Sequence, residues 1–326
     1  MEPYKNIVFN KALNLNGYNV IYLSKININN IRKYIKVLSP DIIYLNSFFS
    51  KITQIVLFLK KIGLITNEII LAPRGELSYG AVSLKSKKKK IFLNTAKILK
   101  FHGKDLTFHA TDNIETRDIK RIFPNRVIEI PNLINDKNFK FNNLKKETRS
   151  LRVVFLSRIS EKKNLLYALK VLQEIGNKNI IFDIYGPIES VEYWGKCERE
   201  IRATCNIDIS YKGLVQPAEI SNVLNDYQCF LFPTCGENFG HAIVEAMQIG
   251  LIPIISDQTP WIDLKNYNAG WSLKLNDKLG FVNALEELYE MSNACFQVKS
   301  KNTRKYIDLK IDNNSSVNLY KNILLR

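Results

Sequence analysis

Two glutamates eight residues apart, Glu237 and Glu245, are the side chains whose type and spacing most invite a chemical reading. They lie in Leu231-Phe-Pro-Thr-Cys-Gly-Glu-Asn-Phe-Gly-His-Ala-Ile-Val-Glu-Ala-Met-Gln-Ile-Gly250. Cys229 to Phe232 is a short apolar run stopped by Pro233, and Ala242 to Met247 are good helix formers, so the stretch reads strand, tight turn, helix. Gly236 and Gly240 let the backbone come close to a ligand, and the free N–H groups of a helix starting near Phe239 would face it. An anion or a polar sugar is the expected guest. On one helix the two carboxylates would stand about 12 Å apart along the axis. A paired acid and nucleophile needs about 5 to 9.5 Å. One carboxylate on the turn and one on the helix are better placed to hold two ends of an extended ligand. The plain alternative is a helix-capping Glu237 and a solvent-facing Glu245.

With seven residues between them, inside Pro-Thr-Cys-Gly-Glu-Asn-Phe-Gly-His and followed by Gly250-Leu-Ile-Pro-Ile-Ile-Ser-Asp, these glutamates resemble the EX7E signature of the family 4 retaining glycosyltransferases. The resemblance extends over most of the chain from about Gly17. It implies the GT-B fold: α/β, two Rossmann-like domains whose parallel sheets face across a cleft that holds a nucleotide-sugar. In that family's pattern Glu237 and the Asn238-Phe239-Gly240 backbone hold the donor sugar, and Glu245 holds the ribose. Arg158 and Lys163 match the family's Gly-Arg-Leu-x-x-x-Lys-Gly, with Ser157 for the first Gly and Asn164 for the last. They follow the buried strand Arg152 to Leu156, where two cations can stabilise a departing nucleoside diphosphate. Without that position Glu161-Lys162-Lys163 would pass for a solvated turn, and Lys162 is read as surface. Gly186 ends a further strand, Ile180 to Tyr185, while Lys212, Gly213 and Leu214 resemble a loop whose backbone contacts the nucleotide base. Backbone readout leaves the base itself open.

The first half alternates short apolar runs (19–23, 41–45, 68–71, 106–109 and 127–130) with helical stretches (28–37, 48–61, 84–101 and 114–122). That is a parallel α/β domain, and its ligands should gather at the carboxyl ends of the strands. There lie Ala72-Pro-Arg-Gly-Glu-Leu-Ser-Tyr-Gly80 and His109-Ala-Thr-Asp-Asn-Ile-Glu115, which resemble segments lining the acceptor side in this glycosyltransferase group. Arg74, Gly75 and Glu76 are the acceptor-side candidates, the charged pair as partners for hydroxyls or phosphate. His109 is a candidate contact to donor sugar or acceptor, with a satisfied structural histidine as the plain alternative. Relatives open with a strand and a Gly-rich loop. Here some seventeen residues precede the Tyr18-Asn-Val-Ile-Tyr22 strand, none of them Gly-Gly, and residues 5 to 15 can form a helix, so the first domain is expected to lack that strand and loop.

The expected organisation is an acceptor-side domain over 1–135, a polar linker over 136–150, a nucleotide-sugar domain over 151–310, and a C-terminal helical segment over 311–326 crossing back to the first domain. Among 326 residues, 46% hydrophobic and 24% charged, no apolar run reaches a membrane span. The five cysteines have no CxxC or metal spacing and read as reduced cytoplasmic thiols. No metal ligand set and no cofactor are expected.

Charge is uneven. Residues 1–150 hold 27 Lys and Arg against 11 Asp and Glu, and the remainder holds 20 against 20, so the first half carries the whole net +16. Lys85-Ser-Lys-Lys-Lys-Lys90 opens a helix whose expected packed stripe is Leu84, Ile91, Phe92, Thr95, Ile98 and Leu99. A basic face of this kind fits anionic lipid, at about 1 kcal/mol per cation, better than nucleic acid, for which no motif is present.

These readings converge on a metal-independent retaining glycosyltransferase that moves a sugar from a nucleotide-sugar to a hydroxyl of a saccharide acceptor, lipid-linked as in O-antigen synthesis. It would work in the cytoplasm, peripherally on the inner membrane face. A nucleotide-sugar-binding remnant without turnover and a GT-B nucleotide-sugar epimerase stay open as alternatives, as does a basic nucleic-acid binder.

Overall fold

The computed structural model describes residues 8–325 apart from 16, 78–86, 99–102, 104, 135–138 and 177, with only the backbone described for 87–90. The chain divides into two compact units, Met1–Pro131 with Leu319–Arg326, and Asn132–Asn318.

In the first unit β1 (Ala12–Leu15) and β2 (Tyr18–Ile21) form an antiparallel hairpin. Of the expected helix over 5–15, residues 12–15 are therefore a strand and residues 8–11 are not helical, residues 5–7 lying outside the description. Gly17 has φ +89°, as tight hairpin turns favour, and its N–H donates to Asn14 Oδ1 at 3.2 Å. The hairpin stands apart from the parallel sheet, so Tyr18–Ile21 is not one of that sheet's strands. That sheet runs β3 (Ile42–Asn46), β4 (Glu68–Ala72), β5 (Leu106–Ala110), β6 (Val127–Glu129), all parallel, with α1 (Ile28–Leu38), α2 (Lys51–Lys61), α3 (Lys87–Ile98) and α4 (Asn113–Ile122) interleaved. Side-chain caps define the starts: Asn27 accepts from the Asn30 N–H, Ser50 from Thr53 and Asp112 from Glu115.

On α3 the packed face is Leu93 and Ala96, with Phe92 beside it. Ile91 and Ile98, expected inside, are 63% and 79% exposed. Leu84, Lys85 and Leu99 lie outside the described residues.

The second unit contains β7 (Leu151–Leu156), a 3-10 turn (Glu161–Lys163), α5 (Leu165–Glu174), β8 (Ile180–Tyr185), α6 (Val191–Ala203), β9 (Asp208–Gly213), α7 (Ile220–Leu224), β10 (Cys229–Phe232), α8 (His241–Ile249), β11 (Ile252–Ser256), β12 (Trp271–Leu273), α9 (Lys278–Glu290) and α10 (Asn293–Lys310). The last helix, α11 (Asn313–Leu324), counts with this unit up to Asn318 and with the first from Leu319. Its strands are parallel in the order β12-β11-β10-β7-β8-β9. Val153, Val154 and Phe155 are fully buried, as in strands covered on both faces. The chain builds outward from β7 through β8 to β9, then crosses to β10 on the other side. The switch point, where open sheets of this kind bind ligands, is at the carboxyl ends of β7 and β10.

The polar stretch read as a linker is, from residue 139, part of the second unit. Phe139 and Leu144 are buried in its core. Lys146 is buried too, and its ammonium donates to the carbonyls of Glu147, Tyr289 and Met291 at 2.9 to 3.0 Å, which explains how so charged a segment packs inward. Among the described residues no helix is long and apolar enough to cross a membrane.

Candidate active site

At the switch point the loops after β7 and β10 are tied together. The Cys235 N–H donates to the Lys162 carbonyl at 2.8 Å, Thr234 Oγ1 donates to the same oxygen at 3.1 Å, and Asn164 Nδ2 donates to the Pro233 carbonyl at 2.9 Å. Asn164, standing where the family pattern has Gly, has φ +61°, a left-handed conformation that Asn tolerates better than most residues. The result is that Lys163 and Glu237 form an ion pair, each side chain only about an eighth exposed.

The turn beyond Glu237 is equally constrained. The Glu237 N–H donates to the Gln258 carbonyl at 2.9 Å, and the Phe239 carbonyl accepts from Trp261 Nε1 at 2.7 Å. Asn238 Nδ2 is buried without a hydrogen-bond partner. Gly240 has φ +76° and starts α8, and its carbonyl accepts from the Ile243 N–H at 2.9 Å. Glu245 is half-buried on that helix, its side chain with no hydrogen bond or ion pair among the described residues, and burial raises its pKa to about 7. Trp261, Gln258 and Asn164 are supports that sequence reasoning missed, because each acts through a contact distant in the chain. Lys162, read as surface, has its pKa lowered by burial, and its stem lies 3.7 Å from where a Gly236 Cβ would be.

Arg158 is exposed and paired to Glu189 at 3.3 Å, so the two cations expected to act together each have a carboxylate partner. Gly186 fits with no room for a side chain: φ is +133°, and a Cβ would lie 1.9 Å from the Ser157 carbonyl oxygen. Its N–H donates to the Gly213 carbonyl at 2.8 Å, which joins the loops after β8 and β9. Lys212 is 3.3 Å from the buried Asp183, Gly213 has φ +81°, and Leu214 is 70% exposed.

In the first unit the acceptor-side candidates cluster at the carboxyl end of β4. Arg74 has φ +55° and Gly75 +76°. Glu76 accepts from Ser47 Oγ at 2.8 Å and the Phe49 N–H at 3.1 Å, which makes it a brace for the turn. Glu115, given no role from sequence, is buried and accepts from the Gly75 N–H at 2.6 Å and from the Thr111 N–H and hydroxyl at 2.8 Å. His109 is fully buried: Nε2–H donates to the Ile130 carbonyl at 2.8 Å and Nδ1 accepts from Tyr44. Both ring nitrogens are engaged within the protein, the alternative to a direct ligand contact, and burial lowers the ring pKa to about 4. Ser78, Tyr79 and Gly80 lie outside the described residues. Among the described residues no group of three or more His, Cys, Asp or Glu is arranged to hold a metal ion.

The two α/β units, each built on a parallel sheet, have the GT-B fold of glycosyltransferases. The chain belongs to the family described as glycosyl transferases, group 1, whose model matches residues 136–306, just over half of the sequence. Solved structures share the fold. Sucrose-phosphate synthase from Thermosynechococcus elongatus is 15% identical, with TM-score 0.71 over 91% of this chain and 77% of that one. HepE from Anabaena, in complex with UDP and glucose, is 13% identical, with TM-score 0.71 over 91% and 81%. WaaG, a glycosyltransferase involved in lipopolysaccharide biosynthesis, is 12% identical, with TM-score 0.69 over 91% and 81%. A search of curated protein sequences gave no match.

Proposed function

We propose that this chain is a family 4 type enzyme that transfers a sugar, with retention of anomeric configuration and without a metal, from a nucleoside diphosphate sugar to a saccharide hydroxyl. The observation that carries the reading is the Lys163–Glu237 pair at the β7/β10 switch point, in the turn that leads into α8. Lys163 and Arg158 take up the charge that develops on the departing diphosphate. Glu237, the Asn238 amide and the backbone at Phe239 and Gly240 hold sugar hydroxyls, and Glu245 holds the ribose. Gly186 and the Lys212-Gly213-Leu214 loop border the nucleoside. The UDP and glucose bound by HepE support a donor of this class.

The acceptor is placed on the first unit, at Arg74, Gly75 and Glu76, and is proposed to be a lipid-linked saccharide of the kind used for O-antigen. The basic α3, with Ile91 and Ile98 outward, supports a protein held peripherally on the anionic cytoplasmic membrane face.

The test is a panel of nucleotide-sugars incubated with lipid-linked saccharide acceptors, read by mass and by the anomeric configuration of the product. Glu245→Ala should weaken donor binding, and Arg158→Ala should mainly slow transfer. Donor binding with no turnover in the wild type would identify a remnant, and donor isomerisation without acceptor an epimerase. Tight, steeply salt-dependent binding to nucleic acid with indifference to every nucleotide-sugar would also overturn the reading.

A further inference from the structure

The loop after β7 carries three cations, Arg158, Lys162 and Lys163. Arg158 is paired to Glu189 and Lys163 to Glu237. Lys162 has no such partner: among the described residues its ammonium makes no hydrogen bond or ion pair. The charged groups that act on it are Glu237, already in contact with Lys163, and the cations Lys163 and Arg158. Glu161, its neighbour in the chain, is exposed and is not among them. One carboxylate thus faces two ammoniums and touches one.

Long-range contacts put this ammonium at the turn that carries Glu237. The Lys162 carbonyl accepts from the Cys235 N–H at 2.8 Å and from Thr234 Oγ1 at 3.1 Å, which anchors the residue to the loop after β10. Its Cε lies 3.7 Å from where a Cβ on Gly236 would stand, one residue before Glu237. The lysine is nonetheless exposed, so its stem packs on the turn while its charged end stays within reach of a ligand. Burial of that stem, with the repulsion of Lys163 and Arg158, lowers the Lys162 pKa against the pull of Glu237. The Cys235 thiol beside it is pushed up by burial, stays neutral and offers no counter-charge. The free protein therefore holds an ammonium where its surroundings disfavour the charge, and an arriving anion reverses that balance.

We propose that Lys162 is a third phosphate-binding residue: its ammonium meets the donor's diphosphate without first leaving a carboxylate, whereas Lys163 and Arg158 each start from one. The inference rests on the nucleotide-sugar reading of this site and adds a residue outside the Arg158 and Lys163 pattern.

The probes are UDP, GDP, ADP and dTDP, each titrated calorimetrically against its own monophosphate. Wild type should bind at least one diphosphate more tightly than the matching monophosphate, and Lys162→Gln should narrow that difference about five- to thirtyfold, the worth of a partly exposed charge-assisted hydrogen bond. Lys162→Arg, which keeps the charge, should retain most of it. Because the charge is disfavoured in the free protein, Lys162→Gln should melt at the wild-type temperature or above it, where loss of a structural lysine would lower the melting point. A diphosphate preference that survives Lys162→Gln, or one lost together with melting temperature, would overturn the role of Lys162 and leave the donor reading standing. No wild-type preference for any of the four diphosphates would overturn the donor reading itself.

Discussion

Lys163 and Glu237, 74 positions apart in the chain, form an ion pair where the sheet of the second unit changes direction. Each is shielded enough for its partner to matter, and each lies on a loop whose backbone is bonded to the other loop. A ligand anion arriving there meets a lysine already oriented, and a ligand hydroxyl meets a carboxylate already held in place.

Removing one member should therefore affect both chemistry and stability. Lys163→Met is expected to slow transfer by about two to three orders of magnitude and to cost roughly 1 to 3 kcal/mol, less than the ~3–5 for a fully buried pair. Steady-state kinetics and urea unfolding measure the two effects. The double variant with Glu237→Gln should be more stable than the sum of the singles implies.

Glu245 yields a pH prediction. Its folded pKa, about 7, is above the ordinary 4.5 because burial disfavours the carboxylate. The folded state thus holds a proton that the unfolded chain releases, so stability is greatest below about pH 4.5 for this group and falls as pH rises through 7. Glu245→Gln should stabilise the protein by about 2 kcal/mol at pH 8 and hardly at all at pH 4.5, as thermal melts at the two pH values would reveal. If the ionised carboxylate holds the ribose, donor affinity should weaken as pH falls below 7.

Gly186 and Gly213 both have positive φ, yet alanine should affect them differently. At Gly186 a Cβ would collide with the Ser157 carbonyl, so Gly186→Ala must move the β7 loop and is expected to abolish nucleotide binding. Nothing lies within 4 Å of a Cβ at Gly213, and Gly213→Ala should cost only about 1 kcal/mol in backbone strain. Calorimetric titration with UDP and urea unfolding separate the two.

Vesicles of anionic lipid should bind the protein at low salt and release it as ionic strength rises. Replacing Lys87 to Lys90 by Gln should weaken binding, and Ile91→Asn with Ile98→Asn should weaken the part that survives salt. Nucleotide affinity should stay intact in each case. Co-sedimentation that responds to neither set would make α3 ordinary solvated surface.

The local pattern carried much of this molecule. Apolar runs such as Val153 to Phe155 reveal buried parallel strands because a strand covered on both faces must be apolar on both. The Glu237–Glu245 spacing, with Pro233, Gly236 and Gly240 around it, marks a strand–turn–helix ligand loop because each of those residues constrains its own backbone. Tertiary structure decided what depends on residues far apart. The 139–150 stretch looks like a linker until Lys146 finds three carbonyls around Tyr289 and Met291. Ile91 and Ile98 fit a packed stripe on α3, but the docked face is set by which side meets the sheet. Composition likewise left His109 open between ligand contact and structural support. Its partners Tyr44, Ile130 and Tyr320 come from three other elements, and a hydrogen-bond network assembled across the fold leaves no periodicity in the chain that encodes it.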